Sequence, residues 1–307
     1  MHRTPEGHAF IRLHYTADET LTPGIIRRFR KGYTTQAHWE REMEINANAL
    51  DGQRVYPEFD PALHVIRDED VPGRGCIYFS IDPHPRTPHA MMWLLIDRWS
   101  DWYIYRELWP SKAYPTDGRV RRLREDEQDH VFGVRDYVTW IAAFEGNEIQ
   151  WHNAETADEY GDYIEKRGGE IVVSRFMDQA GKGFAARKSE FDELSYWDFY
   201  RKCGIVCRGP KKGHEAGENA LHELLAPRKH DLKGTYPRLH IAASCRELIA
   251  EFPMHRYKTR KRPSEEDDLK QEARKFRTHM LDNLRYLATS NAEYVRSLES
   301  ERYDINA

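Results

Sequence analysis

Apolar and polar positions alternate most regularly between Cys76 and Glu107, and this stretch organises the rest of the chain. Ile77, Phe79 and Ile81 alternate with Tyr78 and Ser80 as far as Asp82, the period of two expected of a strand. Met91 to Ile96 is continuously apolar, the pattern of a central strand covered on both faces. Trp102 to Glu107 is aromatic and β-branched, and Arg98 to Asp101 forms a turn before it. The pattern predicts three short strands in a row.

Upstream, Thr22 and Pro23 suit a helix start, and Ile25, Ile26 and Phe29 fall opposite Arg27, Arg28, Arg30 and Lys31. A second helix is expected over residues 35–50, broken at Asp51-Gly52. Residues 55–66 read as an extended arm or edge strand limited by Pro57 and Pro61. Downstream, Val131 to Phe144 has helical spacing, and Ile171 to Phe176 is a short apolar strand ending at Met177-Asp178. Helices are expected over 191–202, 216–225 and 245–252, and strands over 204–207 and 238–242. Ser264 opens a long helix with Asp267 as its capping-box partner, and Phe276, Met280, Leu284 and Leu287 share one face of it. Three antiparallel strands followed by alternating helices and strands give an α/β fold, a mixed sheet with helices on both faces.

Composition narrows the class. The 307 residues are 39% hydrophobic and 32% charged, which fits a globular protein with a charged surface rather than a disordered chain. A formal net charge of −4 excludes a generic polyanion binder, so nucleic-acid contact would come from local basic clusters. No apolar run is long enough to span a membrane. The N-terminus lacks a signal-peptide pattern. Four cysteines suggest free thiols in a reducing compartment.

The candidate chemistry is acidic. Asp82 and Asp178 each end an expected strand, and Asp282 lies in the last expected helix, off its apolar stripe, with His279 three residues before it. A carboxylate at the end of a buried strand needs a cation or hydrogen bonds to compensate it; a turn cap before Pro83 is the plainer role for Asp82. Three such acids from two strand ends and a helix can hold two divalent cations about 3.5–4 Å apart, and hard oxygen ligands suit Mg²⁺ or Mn²⁺. Glu107, ending the third strand, is a fourth candidate ligand or a surface acid.

Five segments, read together, resemble the nuclease domain of tailed-phage terminase large subunits, of the ribonuclease H-like superfamily. VYPEFDPALHVI (55–66) is similar to the arm after the motor domain, and IYFSIDPHPRTPHAMMWLLID (77–97) to the first catalytic strand and its neighbour. IVVSRFMDQAGKG (171–183) resembles the second acidic strand, and RLHIAASCRELIAEFPMHRYK (238–258) a late strand–helix–strand unit. RKFRTHMLDNLRYLAT (274–289) resembles the terminal helix, with its acid followed by Leu-Arg-Tyr.

The resemblance implies that Asp82, Asp178 and Asp282 bind two Mg²⁺ or Mn²⁺ ions, with Asp82 bridging and His279 beside the metal or the scissile phosphate. Residues 1–54 would be the helical tail of a motor domain, 55–290 the nuclease with an insertion at about 111–165, and 291–307 a C-terminal tail. The implied activity is cutting of double-stranded DNA concatemers during genome packaging. The implied partners are a motor domain, a small subunit and a portal protein, in the host-cell cytoplasm. Where the family has glycine after the first acid, this chain has Pro83, His84 and Pro85, which could bring His84 to the phosphate. No GxxxxGK[ST] motif is present, so ATP hydrolysis by this chain is not expected.

The basic residues Lys211, Lys212, Arg256, Lys258, Arg260, Lys261 and Arg262 would track DNA phosphates. Two other functions fit the same residues. One is a junction resolvase or transposase-type enzyme of the same fold; the other is an inert DNA-clamping or portal-docking module.

Overall fold

The computed structural model describes residues 2–3, 9–10, 21–32, 54–84, 88–109, 113–116, 119–122, 133–152, 161–182, 195–211, 213–230, 234–257 and 278–303. These fall into two compact units. One comprises the described residues within Glu58–Glu251 and Arg277–Ala307, the other those within Met1–Pro57 and Phe252–Phe276.

In the smaller unit, helix α1 (Pro23–Gly32) begins as the sequence predicts, with Thr22 accepting at its carbonyl from the Ile26 N–H at 3.0 Å. Val55 donates to the His255 carbonyl at 3.0 Å, and Tyr56 packs edge-on against Phe252, ring centres 5.7 Å apart. The helix expected over 35–50 and most of the helix opened by Ser264 lie outside the described residues.

In the larger unit, eight strands among the described residues form one mixed sheet. They are β1 (Val65–Ile66), β2 (Arg74–Asp82), β3 (Ala90–Ile96), β4 (Trp102–Leu108), β5 (Val172–Met177), β6 (Cys207–Arg208), β7 (Leu239–Ala242) and β8 (Ser300–Glu301). Their order is β6-β5-β2-β3-β4-β7-β1, with β8 pairing antiparallel to the start of β2. β2, β3 and β4 form the expected antiparallel meander, and β5, β6, β7 and β1 add parallel neighbours on either side.

The alternation in β2 sends its residues to two covered faces. On one, Phe79 packs on Trp93 (4.9 Å), and Trp93 on Phe144 (5.6 Å) of α3 (Val134–Phe144). That helix lies within the expected insertion, yet it supplies core. On the other face, Ser80 donates to the Asn283 carbonyl at 3.3 Å, and the Asn283 amide donates to the Ala90 carbonyl at 2.9 Å. Asn283 belongs to α7 (His279–Ala288), whose Met280, Leu284 and Leu287 are buried. Helices thus cover both faces of the mixed sheet, as expected.

Two expectations are corrected. Residues 61–64 are not extended: Asp60 caps α2 (Pro61–His64), its carboxylate accepting from Ala62 N–H at 2.9 Å, with Pro61 at a first-turn position. Residues 291–303 do not trail away. β8 joins the sheet, and Tyr303 donates its N–H to Glu170 at 2.9 Å.

Two further helices complete the frame, α5 (His214–Leu225) and α6 (Arg246–Met254). The Glu107 carboxylate receives the Glu247 and Leu248 N–H groups at 2.6 and 2.9 Å, at the start of α6. Near the far end of α6, Glu251 receives the Met280 and Leu281 N–H groups at 3.2 and 2.9 Å, at the start of α7. A carboxyl oxygen at a helix start satisfies orphan donors, and where the acid is ionised it also meets the positive end of the dipole.

A cluster of acids at the strand ends

Asp82 is the last residue of β2, and Asp178 directly follows β5. The two strands are parallel neighbours, and Met177 is paired with Ile81. The next residue on each strand is therefore an aspartate, side by side at the same sheet end. Neighbouring strands lie about 4.8 Å apart. The Asp178 N–H donates to the Ile81 carbonyl at 3.3 Å.

Asp282 arrives from α7, whose Asn283 grips Ala90, the residue paired with Asp82 across the β2–β3 hairpin. The fields of the three acids overlap. Burial raises the Asp82 carboxyl, the His279 hydrogen bond opposes this, and the charges of Asp282 and Asp178 push it further up. Tyr286, one turn after Asp282, is pushed far up by burial and then by Asp82, Asp282 and Asp178. The register and these shared fields bring the three sequence candidates to one place.

Their hydrogen bonds are equally specific. His279 Nδ1 lies 2.8 Å from Asp82 Oδ2, and this bond is the main reason its imidazole is raised above its ordinary value. Arg285 lies 2.7 Å from Asp282 Oδ1, and Thr278 donates to the other oxygen at 3.3 Å. A Cβ at Gly217 would stand 2.2 Å from Cγ of Arg285, so a glycine in α5 lets the arginine stem pass. The Asp178 carbonyl accepts from the Gly181 N–H and from Trp197 Nε1, each at 3.0 Å. A Cβ at Gly181 would press on Pro83 at 2.8 Å and on the Trp197 indole at 3.2 Å, so glycine is needed in that turn.

No group of three or more His, Cys, Asp or Glu among the described residues is gathered closely enough to hold a metal ion. The donor chemistry nonetheless fits a hard cation. Asp82, Asp178 and Asp282 act on one another electrostatically at one end of the sheet, and the first of them is raised by its burial, so added positive charge would relieve it.

The other candidates divide. His279 stands against Asp82, and the His84 ring is 6.0 Å from His279. Both oxygens of Glu107 cap α6, the role of a helix anchor. Arg256 is corrected. It is 9% exposed and donates Nε to the Pro253 carbonyl at 3.0 Å, so it is part of the packing of the smaller unit and not an open cationic surface. Lys211 is exposed, while Lys212, Lys258, Arg260, Lys261 and Arg262 lie outside the described residues. All four cysteines are free thiols, and three are buried.

Sequence reasoning missed Glu251 and Trp197. Glu251 carried a signal: it sits on the apolar stripe of Cys245, Leu248 and Phe252. Burial raises its carboxyl to about 8 despite two N–H bonds that favour the anion, with Asp282 adding to the rise. A raised folded value means that the native state keeps a proton which the unfolded chain releases above about 4.5. Stability from this group is therefore complete below pH 4.5 and is lost as pH climbs to about 8. Urea titrations at pH 5 and pH 8 should show a loss on the order of a few kcal/mol, and Glu251→Gln should flatten that dependence.

No protein-family model matches the sequence, and no curated protein matches it. Solved structures do. The large terminase of the thermophilic bacteriophage D6E, crystal form 2, is 14% identical with a TM-score of 0.50, over 91% of this chain and 53% of that one. The same terminase with ADP gives 14% and 0.50, over 92% and 55%. The nuclease domain of the P22 large terminase gives 12% and 0.47, over 83% and 97%. The chain spans about half the length of the D6E terminases it matches. At this identity the likeness is one of fold, a mixed α/β fold shared with part of a large terminase.

Proposed function

We propose that this chain is a metal-dependent endonuclease that cuts double-stranded DNA during packaging of a phage genome. The observation that carries the proposal is the convergence of Asp82, Asp178 and Asp282 at the ends of two parallel strands and one helix. The fold likeness to a large terminase and the sequence resemblance to that family's nuclease domain support the same reading.

Asp82, Asp178 and Asp282 would hold two Mg²⁺ or Mn²⁺ ions. Such ions, when bound, activate a water and stabilise the leaving oxygen of a phosphodiester. The chain's own residues set the stage. The β2–β5 register fixes two carboxylates side by side, and α7 brings the third. His279 and Arg285 hold Asp82 and Asp282 as ion pairs, and each can turn to a phosphate oxygen once its acid is taken up by a cation. A motor domain, a small subunit and a portal protein are the partners proposed for the assembled complex, in the host-cell cytoplasm. No helix among the described residues is long and apolar enough to cross a membrane.

The test is supercoiled plasmid with 5 mM-scale Mn²⁺, on the order used to saturate weak hard-ion sites. Nicking that EDTA stops is the expected result. Faster cutting of branched than of linear duplexes would instead favour a junction resolvase. The pairing of two acids with His279 and Arg285 favours one other reading, an inert DNA-clamping module. DNA binding without any Mn²⁺-dependent nicking would establish it.

A further inference from the structure

We propose that a pocket beside Asp178, built on Lys182, Trp197 and Arg201, is a second subsite that takes two backbone phosphodiesters of the DNA strand; this rests on the nuclease reading above. The pocket has a volume of about 540 Å³, and Ser195 and Asp198 also line it. It adjoins the acid cluster through covalent and hydrogen-bonded links. Lys182 ends the 3-10 turn Gln179–Lys182 that follows Asp178, and the Trp197 indole donates to the Asp178 carbonyl at 3.0 Å.

Among its described residues the pocket carries two cations against one acid. Lys182 and Arg201 are exposed, and neither pairs with an acid among the described residues. Asp198 is committed to its own helix, α4 (Tyr196–Lys202): its carboxylate takes the Ser195 hydroxyl at 2.5 Å, and its N–H donates to Ser195 Oγ at 3.2 Å. The Lys182 ammonium rests 4.7 Å from the centre of the Trp197 ring. The indole face orders this cation without neutralising it. Three carboxylates repel a polyanion, so a DNA strand reaching them needs positive charge alongside. Here that charge stands on the same turn as one of the acids. Contacts of this kind ignore base sequence and weaken with salt.

The experiment measures duplex DNA binding by the full chain in EDTA across a salt series, together with Mn²⁺-dependent nicking. The variants are Lys182→Gln, Arg201→Gln, the double variant, and Arg67→Gln, an exposed cation already held by Asp70 at 2.7 Å. Each pocket variant should make the slope of log K against log[salt] shallower by about 0.9, and the pair by about 1.8. Binding by the double variant should fall roughly tenfold at 0.1 M salt, with Arg67→Gln unchanged. Unchanged slopes in a wild type that binds and nicks DNA would overturn the subsite and leave the nuclease reading intact. The shallower slopes without nicking would keep the subsite and remove the nuclease. Absence of DNA binding by the wild type would overturn the subsite too.

Discussion

Asp82→Asn should lower Mn²⁺-dependent nicking by about 10³-fold or more, the scale of losing a group that acts as part of a catalytic unit, while the protein stays folded. The two halves of this expectation have one cause. Asp82 is 8% exposed and its carboxyl is raised by burial. A neutral amide of the same shape is therefore tolerated by the fold, and it retains a carbonyl oxygen for His279. What it loses is the charge that would hold a cation. Nicking rates beside thermal melts decide the matter: a Tm within a few degrees of wild type with activity gone is the expected pair. Asp282→Asn should behave alike, with Arg285 released from its 2.7 Å partner. Retained nicking in either variant would remove that acid from the site.

Glu170→Ala should destabilise the protein by about 3–5 kcal/mol, the cost of stripping one partner from a buried ion pair. Glu170 is 1% exposed and stands just before β5. It accepts from Arg106 at 3.1 and 3.2 Å, from the Tyr105 hydroxyl at 2.8 Å and from the Tyr303 N–H at 2.9 Å. Arg106 returns a bond to the Tyr303 carbonyl at 2.8 Å and lies over the Trp93 and Phe144 rings. Removing the carboxylate leaves a buried guanidinium without its counter-charge and the Tyr303 N–H without its acceptor. Urea denaturation measures the loss. The double change Arg106→Met with Glu170→Leu should recover much of it, because an apolar pair costs no desolvation. A single variant that loses under about 1 kcal/mol, the scale of an exposed pair, would show the pair to be dispensable.

The meander was legible from the alternation in β2 and the apolar run of β3, although every residue of β2 after Arg74 is buried, Tyr78 and Ser80 included. Alternation and a continuous apolar run are direct imprints of covered faces. Asp82 was legible as an acid interrupting such a run. The partnership of Asp82 with Asp178 was not, since it depends on Met177 meeting Ile81 across 96 residues of chain, and register between distant parallel strands leaves no local mark. The α2 turn was legible and overlooked: Asp60 before Pro61 is a helix start, but the two prolines were read as strand limits. Arg256 shows the converse. A basic run resembles a solvated face, and only packing reveals that the guanidinium is folded in. Trp197 had no signal, because its indole earns its role from a carbonyl 19 residues away.

Glu107 and Glu251 each grip a helix start with two N–H donors at once, the first at α6 and the second at α7. A two-pronged grip sets the heading of a helix as well as its distance. The station of Asp282, one residue beyond the second grip, is therefore set from a neighbouring helix, and Glu251→Ala should shift it even though the strands that carry Asp82 and Asp178 are untouched.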